Sequence, residues 1–527
     1  MATKAARSRR AEPAPPPLPA ARASGWAGAL ALLALVLVAY APALDAGFVW
    51  DDDDYVTANT TLRSVDGLAR IWAEPGAVPQ YYPLAFTSLW LDYRLWGLRP
   101  FGYHLVNVLL HGVNAVLLWR LLGVLAVPGA WLGAAVFAVH PVHVESVAWV
   151  TERKNVLSGA LYLAAFLAYL RFAPPGGGSV RPPAVRAYAA ALGLFVLAML
   201  SKTVTCTLPA ALLLVLWWKR PRLAARDVLP LLPFFGVGLG LAAVTIWMEK
   251  HHVGARGVDW ALSAVDRGLI AGRALWFYLG KLVWPAPLVF NYPRWRIDAG
   301  VWWQYVFPLG AAAAGTALFA ARRRIGTAPL VAALFFAVTL LPALGFVDVF
   351  PMRYSFVADH FQYLASIGPI ALAAALGTVA TRGPDARDVR RLGGGAVVLV
   401  LAALTWRQAH AYRDLRTLWT DTLAKNPGSW MAHNNLGLML AGEGRLDDAI
   451  DHYRAALRIR ADDAFARNNL GYALAMQGHL DAAVPELVEA VRIEPANAEA
   501  RSNLGNVLMA TGRVEEAIAQ YREALRG

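Results

Sequence analysis

The sequence predicts an all-α protein: a polytopic bundle of membrane helices followed by a solenoid of short helical repeats. Three observations carry this. Apolar runs recur from residue 26 to residue 406, several close to the roughly 20 residues a bilayer crossing needs. Hydrophobic residues make up 57% of the 527 and charged ones only 16%, with a mean hydropathy of +0.42, whereas soluble domains are about a quarter charged. From residue 429 the pattern changes to a 34-residue period. The 20 Trp, 18 Tyr and 20 Phe exclude extended disorder. The single Cys206 excludes an internal disulfide and a Cys-based zinc site.

Residues 1–25 form a Pro-, Ala- and Arg-rich tail, expected to be disordered and cytoplasmic. The first span runs from Trp26 to Leu44. Further apolar runs at 104–124, 131–148, 156–171, 187–201, 204–218, 228–247, 303–321, 328–345, 361–380 and 393–406 give about 11 spans in a membrane domain over 26–406. Residues 269–283 read as a helix along the outer interface, because another crossing would carry Arg322–Arg324 to the wrong side. Basic clusters at Arg171/Arg181/Arg186, Lys219/Arg220/Arg222/Arg226, Arg322–Arg324 and Arg382/Arg387/Arg390/Arg391 mark cytoplasmic turns. An odd number of crossings places the C-terminus outside the cytoplasm: in the periplasm for a bacterial inner-membrane protein, or in the lumen for an ER one. The net charge of +13 does not point to nucleic acid, since its basic residues sit in short turns between apolar runs.

After a linker or half repeat at 407–428, residues 429–527 hold 10 Arg, no Lys and 14 Asp or Glu. Asn434-Asn435-Leu436-Gly437 recurs as Asn468-Asn469-Leu470-Gly471 and Ser502-Asn503-Leu504-Gly505. Ala449, Ala483 and Ala517 follow at one offset, and Ala456, Ala490 and Ala524 at another. Several small positions agreeing at one 34-residue period identify three tetratricopeptide repeats. Such an array serves as a rigid stalk or holds a peptide in its groove. Asn435, Asn469 and Asn503 are candidates for acceptor binding, since an amide both donates to and accepts from peptide backbone; the same residues would equally suit packing between repeats.

The polar residues gather at one face. Trp50 is followed by Asp51, Asp52, Asp53 and Asp54, carboxylates close enough to raise one another's pKa. His140, His143 and Glu145 lie in the next loop on that face, without the spacing of a His-Glu-x-x-His zinc helix. Arg153-Lys154, Lys202 and Arg353 supply cations there, and Asp359, His360 and Tyr363 follow Arg353. A cationic cluster beside an apolar groove is what a lipid-linked phosphate requires.

Together, the Trp50–Tyr55 loop, Tyr82-Pro83-Leu84 through Gly97-Leu98, His104-Leu105-Val106-Asn107, the His140–Asn155 segment, Ser201-Lys202, Ala358-Asp359-His360-Phe361 and the repeats resemble the transmembrane and tetratricopeptide-repeat-containing O-mannosyltransferase family. The resemblance covers most of residues 26–527. It implies a C-type glycosyltransferase fold, an active site on the luminal or periplasmic face, a polyprenyl-phosphate sugar donor, and Ser or Thr of exported proteins as acceptor. Two departures stand out: the family often has two acidic residues in the first loop where this chain has four, and commonly an Arg where this chain has His360.

The expected activity is inverting transfer of mannose or another hexose from a polyprenyl phosphate to a hydroxyl. Asp51, then Asp52, is the candidate base. Arg153, Lys154, Lys202, Arg353 and His360 are the candidates for the donor phosphate. His140, His143, Glu145, Asp359 and Tyr363 are expected to shape the site. No cofactor is required by this scheme, though an Asp cluster is also compatible with a divalent metal. Two other classes compete. A membrane-tethered scaffold for periplasmic assembly needs only one span, and a lipid-linked sugar transporter needs polar residues through the bilayer depth.

Overall fold

The computed structural model describes residues 24–176, 184–220, 222–381, 383 and 386–526. Residues 1–23 of the expected cytoplasmic tail 1–25, and Arg181 and Arg382 of the basic turns, lie outside them. The described residues are helical, with no strand among them. Among the described residues, five helices are long and apolar enough to cross a membrane: Pro100–Val124, Val150–Phe172, Ala225–Val253, Trp302–Ile325 and Arg387–Tyr412. Five shorter apolar helices accompany them: Gly25–Ala39, Val185–Met199, Thr203–Lys219, Ala328–Ala343 and Ile367–Ala380. The first two long helices form the centre, whereas Trp302–Ile325 and Arg387–Tyr412 present nearly all their apolar surface outward. Leu309 and Leu399 are examples of large side chains left exposed, as suits a lipid surround rather than water.

The 131–148 run is not one helix. It passes through the bundle as Ala130–Ala138 and Val144–Ala148, broken at His140-Pro141, because proline removes a backbone donor and clashes with the preceding turn. Trp131 Nε1 donates to Gly28 O (3.1 Å) at one end of the bundle, and Thr405 Oγ1 donates to Val139 O (2.8 Å) towards the other. The helix Ala264–Val283 starts in a capping box between Ser263 and Asp266 and lies across one end of the bundle. Near its start Arg267 pairs with Asp348 (2.7 Å), and near its end Leu282 O meets His140 Nε2 (3.0 Å). That same end holds the Trp50–Tyr55 turn and the repeats, and is called the site end below.

Each repeat is a helix pair: Trp430–Gly442 with Leu446–Ile459, Ala464–Met476 with Leu480–Ile493, and Ala498–Ala510 with Val514–Ala524. The periodic glycines exist for close approach. A Cβ at Gly437 would lie 2.7 Å from the Tyr453 ring, at Gly471 2.6 Å from Leu487, and at Gly505 2.6 Å from Tyr521. Ala449, Ala483 and Ala517 are fully buried beside them. Gly437→Val therefore overpacks the first repeat and costs roughly 1–3 kcal/mol. The expected result is a lower melting temperature and new proteolytic cleavage within 430–459. An unchanged melt would contradict this packing.

Candidate active site

The acidic turn divides its four carboxylates. Asp52 is fully buried. Its Oδ2 accepts from Val49 N (2.8 Å), and its Oδ1 from Thr151 N (2.8 Å) and Thr151 Oγ1 (2.7 Å). Burial pushes its carboxyl up to about 7, against the pull of these donors. The expected catalytic role of Asp52 does not fit this position: its side chain pins the turn to the start of the Val150–Phe172 span. Asp53 and Asp54 are exposed, and Asp53 accepts from Thr57 Oγ1 (2.8 Å). The four groups do not converge as metal ligands. Among the described residues no three His, Cys, Asp or Glu side chains gather where a metal could be held. Asp51 is half-buried. Burial pushes its carboxyl up to about 6, with Lys154 and His360 lowering it and Asp54 and Glu152 raising it. No described side chain donates to it.

Of the expected phosphate ligands, Lys154, Lys202 and His360 come together around Glu152, to which the sequence reading gave no role. Glu152 lies 3.2 Å from Lys154 Nζ, 2.8 Å from Lys202 Nζ and 4.0 Å from His360 Nε2. An ammonium has three donors, so Lys202 keeps two beyond the one it gives to Glu152. Lys154 also donates to Gln80 Oε1 (3.3 Å) and stands over the Tyr55 ring. His360 is held by Glu145, which accepts its backbone N–H (2.8 Å) and lies 3.1 Å from Nδ1.

Arg153 and Arg353 do not join them. Arg153 is fully buried and spent on the protein: it pairs with Asp92 (2.7 Å) and donates to Ser88 Oγ (2.7 Å), Tyr103 O (2.9 Å) and Asn107 Oδ1. A guanidinium so enclosed has nothing left for a ligand. Arg153→Ala leaves the buried Asp92 without its partner, at a cost of about 3–5 kcal/mol. A melting temperature within a degree or two of wild type would contradict that assignment. Arg353 points to the repeats, 3.7 Å from Asp259 and 3.8 Å from Asp463.

Lys154, Lys202, Glu152 and His360 line one part of a cavity of about 510 Å³. Its other walls are mostly apolar, from Val204, Ala242, Ile246, Phe346, Val347 and Leu364. Asp51 does not line it but lies near enough to Lys154, Glu152 and His360 to feel their charges. Gln80, Tyr82, Asn155 and Glu249 add polar groups to the wall. Glu249 accepts from Gln80 Nε2 (2.9 Å) and Phe350 N (3.0 Å). The sequence reading missed Glu152 and Glu249. The signal for Glu152 was a carboxylate directly before Arg153-Lys154; Glu249 closes an apolar run just before Lys250-His251-His252.

Of the remaining candidates, Tyr363 lines the cavity and His140, His143 and Asp359 do not. His140 caps its own turn and meets Leu282 O. His143 joins Phe137 O (2.8 Å) to Ser366 Oγ (3.0 Å). Asp359 accepts from Tyr292 OH, and burial and the Glu145 charge push its carboxyl up. Tyr363 lines the cavity, with its hydroxyl bonded to His111 Nδ1 (2.7 Å) and Asn114 Nδ2 (2.9 Å). The amide ladder forms, but inside the array. Asn469 donates to Asn434 (3.0 Å), Asn503 to Asn468 (2.9 Å), and Asn435 to Met431 O in its own helix (2.8 Å). Each of these NH₂ groups spends one of its two N–H donors on packing within the array.

Residues 437–478 match a family model described as TPR repeat, and residues 466–527 one described as Tetratricopeptide repeat. The chain is homologous to proteins named protein O-mannosyl-transferase. It is 37% identical to Tmtc1 of Drosophila melanogaster over 28% of this chain and 18% of that one. It is 34% identical to Tmtc3 of the same organism over 27% and 19%, and 31% identical to TMTC3 of Homo sapiens over 29% and 18%. The chain thus matches only about a fifth of the length of these curated relatives. Among solved structures, ArnT from Cupriavidus metallidurans bound to undecaprenyl phosphate is similar over 78% of this chain and 80% of its own, at 13% identity and a TM-score of 0.37. YrrB, a TPR protein with an unusual peptide-binding site, is similar over 30% and 75%, at 19% identity and a TM-score of 0.20.

Proposed function

We propose that this protein is a membrane glycosyltransferase of the C-type fold. It moves a hexose, mannose for preference, from a polyprenyl phosphate to a hydroxyl of an exported protein, with inversion. The observation that carries the reading is the cavity that unites Lys154, Lys202 and His360 with long apolar walls, and that has Asp51 beside its charged part. The homology to protein O-mannosyl-transferases supports the sugar and the protein acceptor. The site end faces the periplasm, or the lumen in a eukaryote, because the basic turns lie at the opposite end. The repeats stand on the same side as the acceptor.

The chemistry follows from the groups present. The isoprenoid tail takes the apolar walls. As the sugar–phosphate bond breaks, charge develops on the phosphate, and the two free N–H donors of Lys202, with the positive charge of Lys154 beside them, stabilise it. The acceptor hydroxyl attacks from the opposite face of the sugar, and Asp51 takes its proton. Asp51 with its pKa raised to about 6 is a stronger base than an ordinary carboxylate and still ionised at neutral pH. Burial lowers Lys202 to about 8, with Glu152 pulling the other way. The base form of Asp51 is gained as pH rises through about 6, and the cationic form of Lys202 is lost above about 8. The kcat/KM profile is therefore expected to be bell-shaped, with its maximum between those limits. A profile flat from pH 5 to pH 9 would contradict both assignments, since each group titrates inside that interval.

The test is to incubate the purified chain with radiolabelled polyprenyl-phosphate mannose and Ser/Thr-rich peptides. Label appearing on the peptide supports the enzyme. Peptide binding without turnover supports the scaffold, and passage of the lipid across a vesicle without transfer supports the transporter.

A further inference from the structure

Asp51 follows a residue in an unfavourable conformation. Trp50 has φ +44°, the left-handed region that bulky residues avoid and that persists only where the surroundings enforce it. The enforcement is visible. The Trp50 ring sits among four others: Phe290 at 5.1 Å, Trp419 at 5.4 Å, Tyr354 at 5.7 Å and Trp149 at 6.2 Å between centroids. Rings so boxed cannot rotate without breaking several edge-to-face contacts.

Three of these walls belong to the bundle and its loops. The fourth, Trp419, lies on the helix Leu415–Lys425, which precedes the first repeat. Trp419 is almost fully buried. The end of its helix and the turn after it are fastened to the loop that carries Phe290: Lys425 Nζ donates to Leu288 O (2.9 Å), Asn426 Nδ2 to Asn291 O (2.9 Å), and Ser429 Oγ to Asn291 Oδ1 (2.7 Å). A second wall is backed from the same side, since Tyr354 packs on Trp430 at 5.3 Å. The Arg353, Arg460, Asp259 and Asp463 ion pairs then close the seam between bundle and repeats. The connecting helix is thus part of the catalytic site's frame.

We infer that Trp419 is a positioning residue for Asp51: by closing the box around Trp50, the repeat-bearing segment sets where the base stands, without touching substrate. This rests on the glycosyltransferase reading. It gives the repeats a second task besides meeting an acceptor, since their docking is read directly at the base. A displacement of about 1 Å in a catalytic group can cost about 100-fold in rate.

The experiment uses the full chain, with radiolabelled polyprenyl-phosphate mannose and a Ser/Thr-rich peptide. Trp419→Ala is expected to lower kcat about 100-fold while the donor KM stays near wild type, because the cavity that would hold the lipid has no wall from this residue. Trp419→Phe, which keeps a ring in the box, is expected to recover most of the lost rate. Wild-type kcat in Trp419→Ala overturns the inference, as does a donor KM that rises in step with the loss, which would mark a general collapse of the site. If the wild-type chain itself transfers no sugar, the reading beneath falls; an active wild type with an equally active Trp419→Ala removes this inference alone.

Discussion

Replacing Asp51 with Asn is expected to lower sugar transfer by about 100- to 10,000-fold, the range that general-base catalysis contributes. Donor KM and the melting temperature should stay close to wild type. The side chain receives no hydrogen bond from a described residue and is half-exposed, so the amide fits without leaving a buried partner unsatisfied. Asp52→Asn is the informative contrast. It places an NH₂ where Val49 N or the two Thr151 donors now point at oxygen, and two donors facing each other in a buried site cost about 1–3 kcal/mol or more. That variant should melt earlier, and its loss of rate should follow its loss of folded protein. If Asp51→Asn turned over like wild type and Asp52→Asn were folded and inactive, the two roles assigned here would exchange.

The second large effect concerns Lys202. Lys202→Met should lower kcat/KM about 100- to 1,000-fold, as removal of a charge-stabilising donor does elsewhere. Its cause is double. A cation leaves the phosphate's path, and Glu152, now without its 2.8 Å partner, keeps a negative charge that repels the incoming phosphate. Adding Glu152→Gln to Lys202→Met removes that repulsion. The double variant is therefore expected to recover part of the rate, which makes the pair strongly non-additive. A double variant no better than Lys202→Met alone would show that Glu152 does not oppose the donor.

The repeats were legible, because glycine and alanine at fixed offsets are required wherever two helices approach closely, as at Gly437 against Tyr453. Most of the apolar runs were legible as helices, although the break at His140-Pro141 divides the 131–148 run. Partnership was not legible. Arg153 and Lys154 are neighbours in sequence, yet successive positions at a helix start point apart. One is enclosed by Asp92, Ser88 and Asn107, and the other reaches the cavity. Asp51 and Asp52 separate in the same way. Arg353 looked like a phosphate ligand because composition cannot show that Asp259 and Asp463, far off in sequence, already claim it. The amides of Asn469 and Asn503 were equally suited to peptide or to packing, and the neighbouring repeat provides the nearer partner.

The most direct measurement is an experimental structure of the full chain in a lipid disc with a polyprenyl phosphate bound. The account predicts the phosphate within hydrogen-bond reach of Lys202 and Lys154, and the isoprenoid chain along Val204, Ile246, Phe346 and Leu364. A phosphate seated instead among the arginines at Arg322–Arg324, with this cavity left to water, would contradict it.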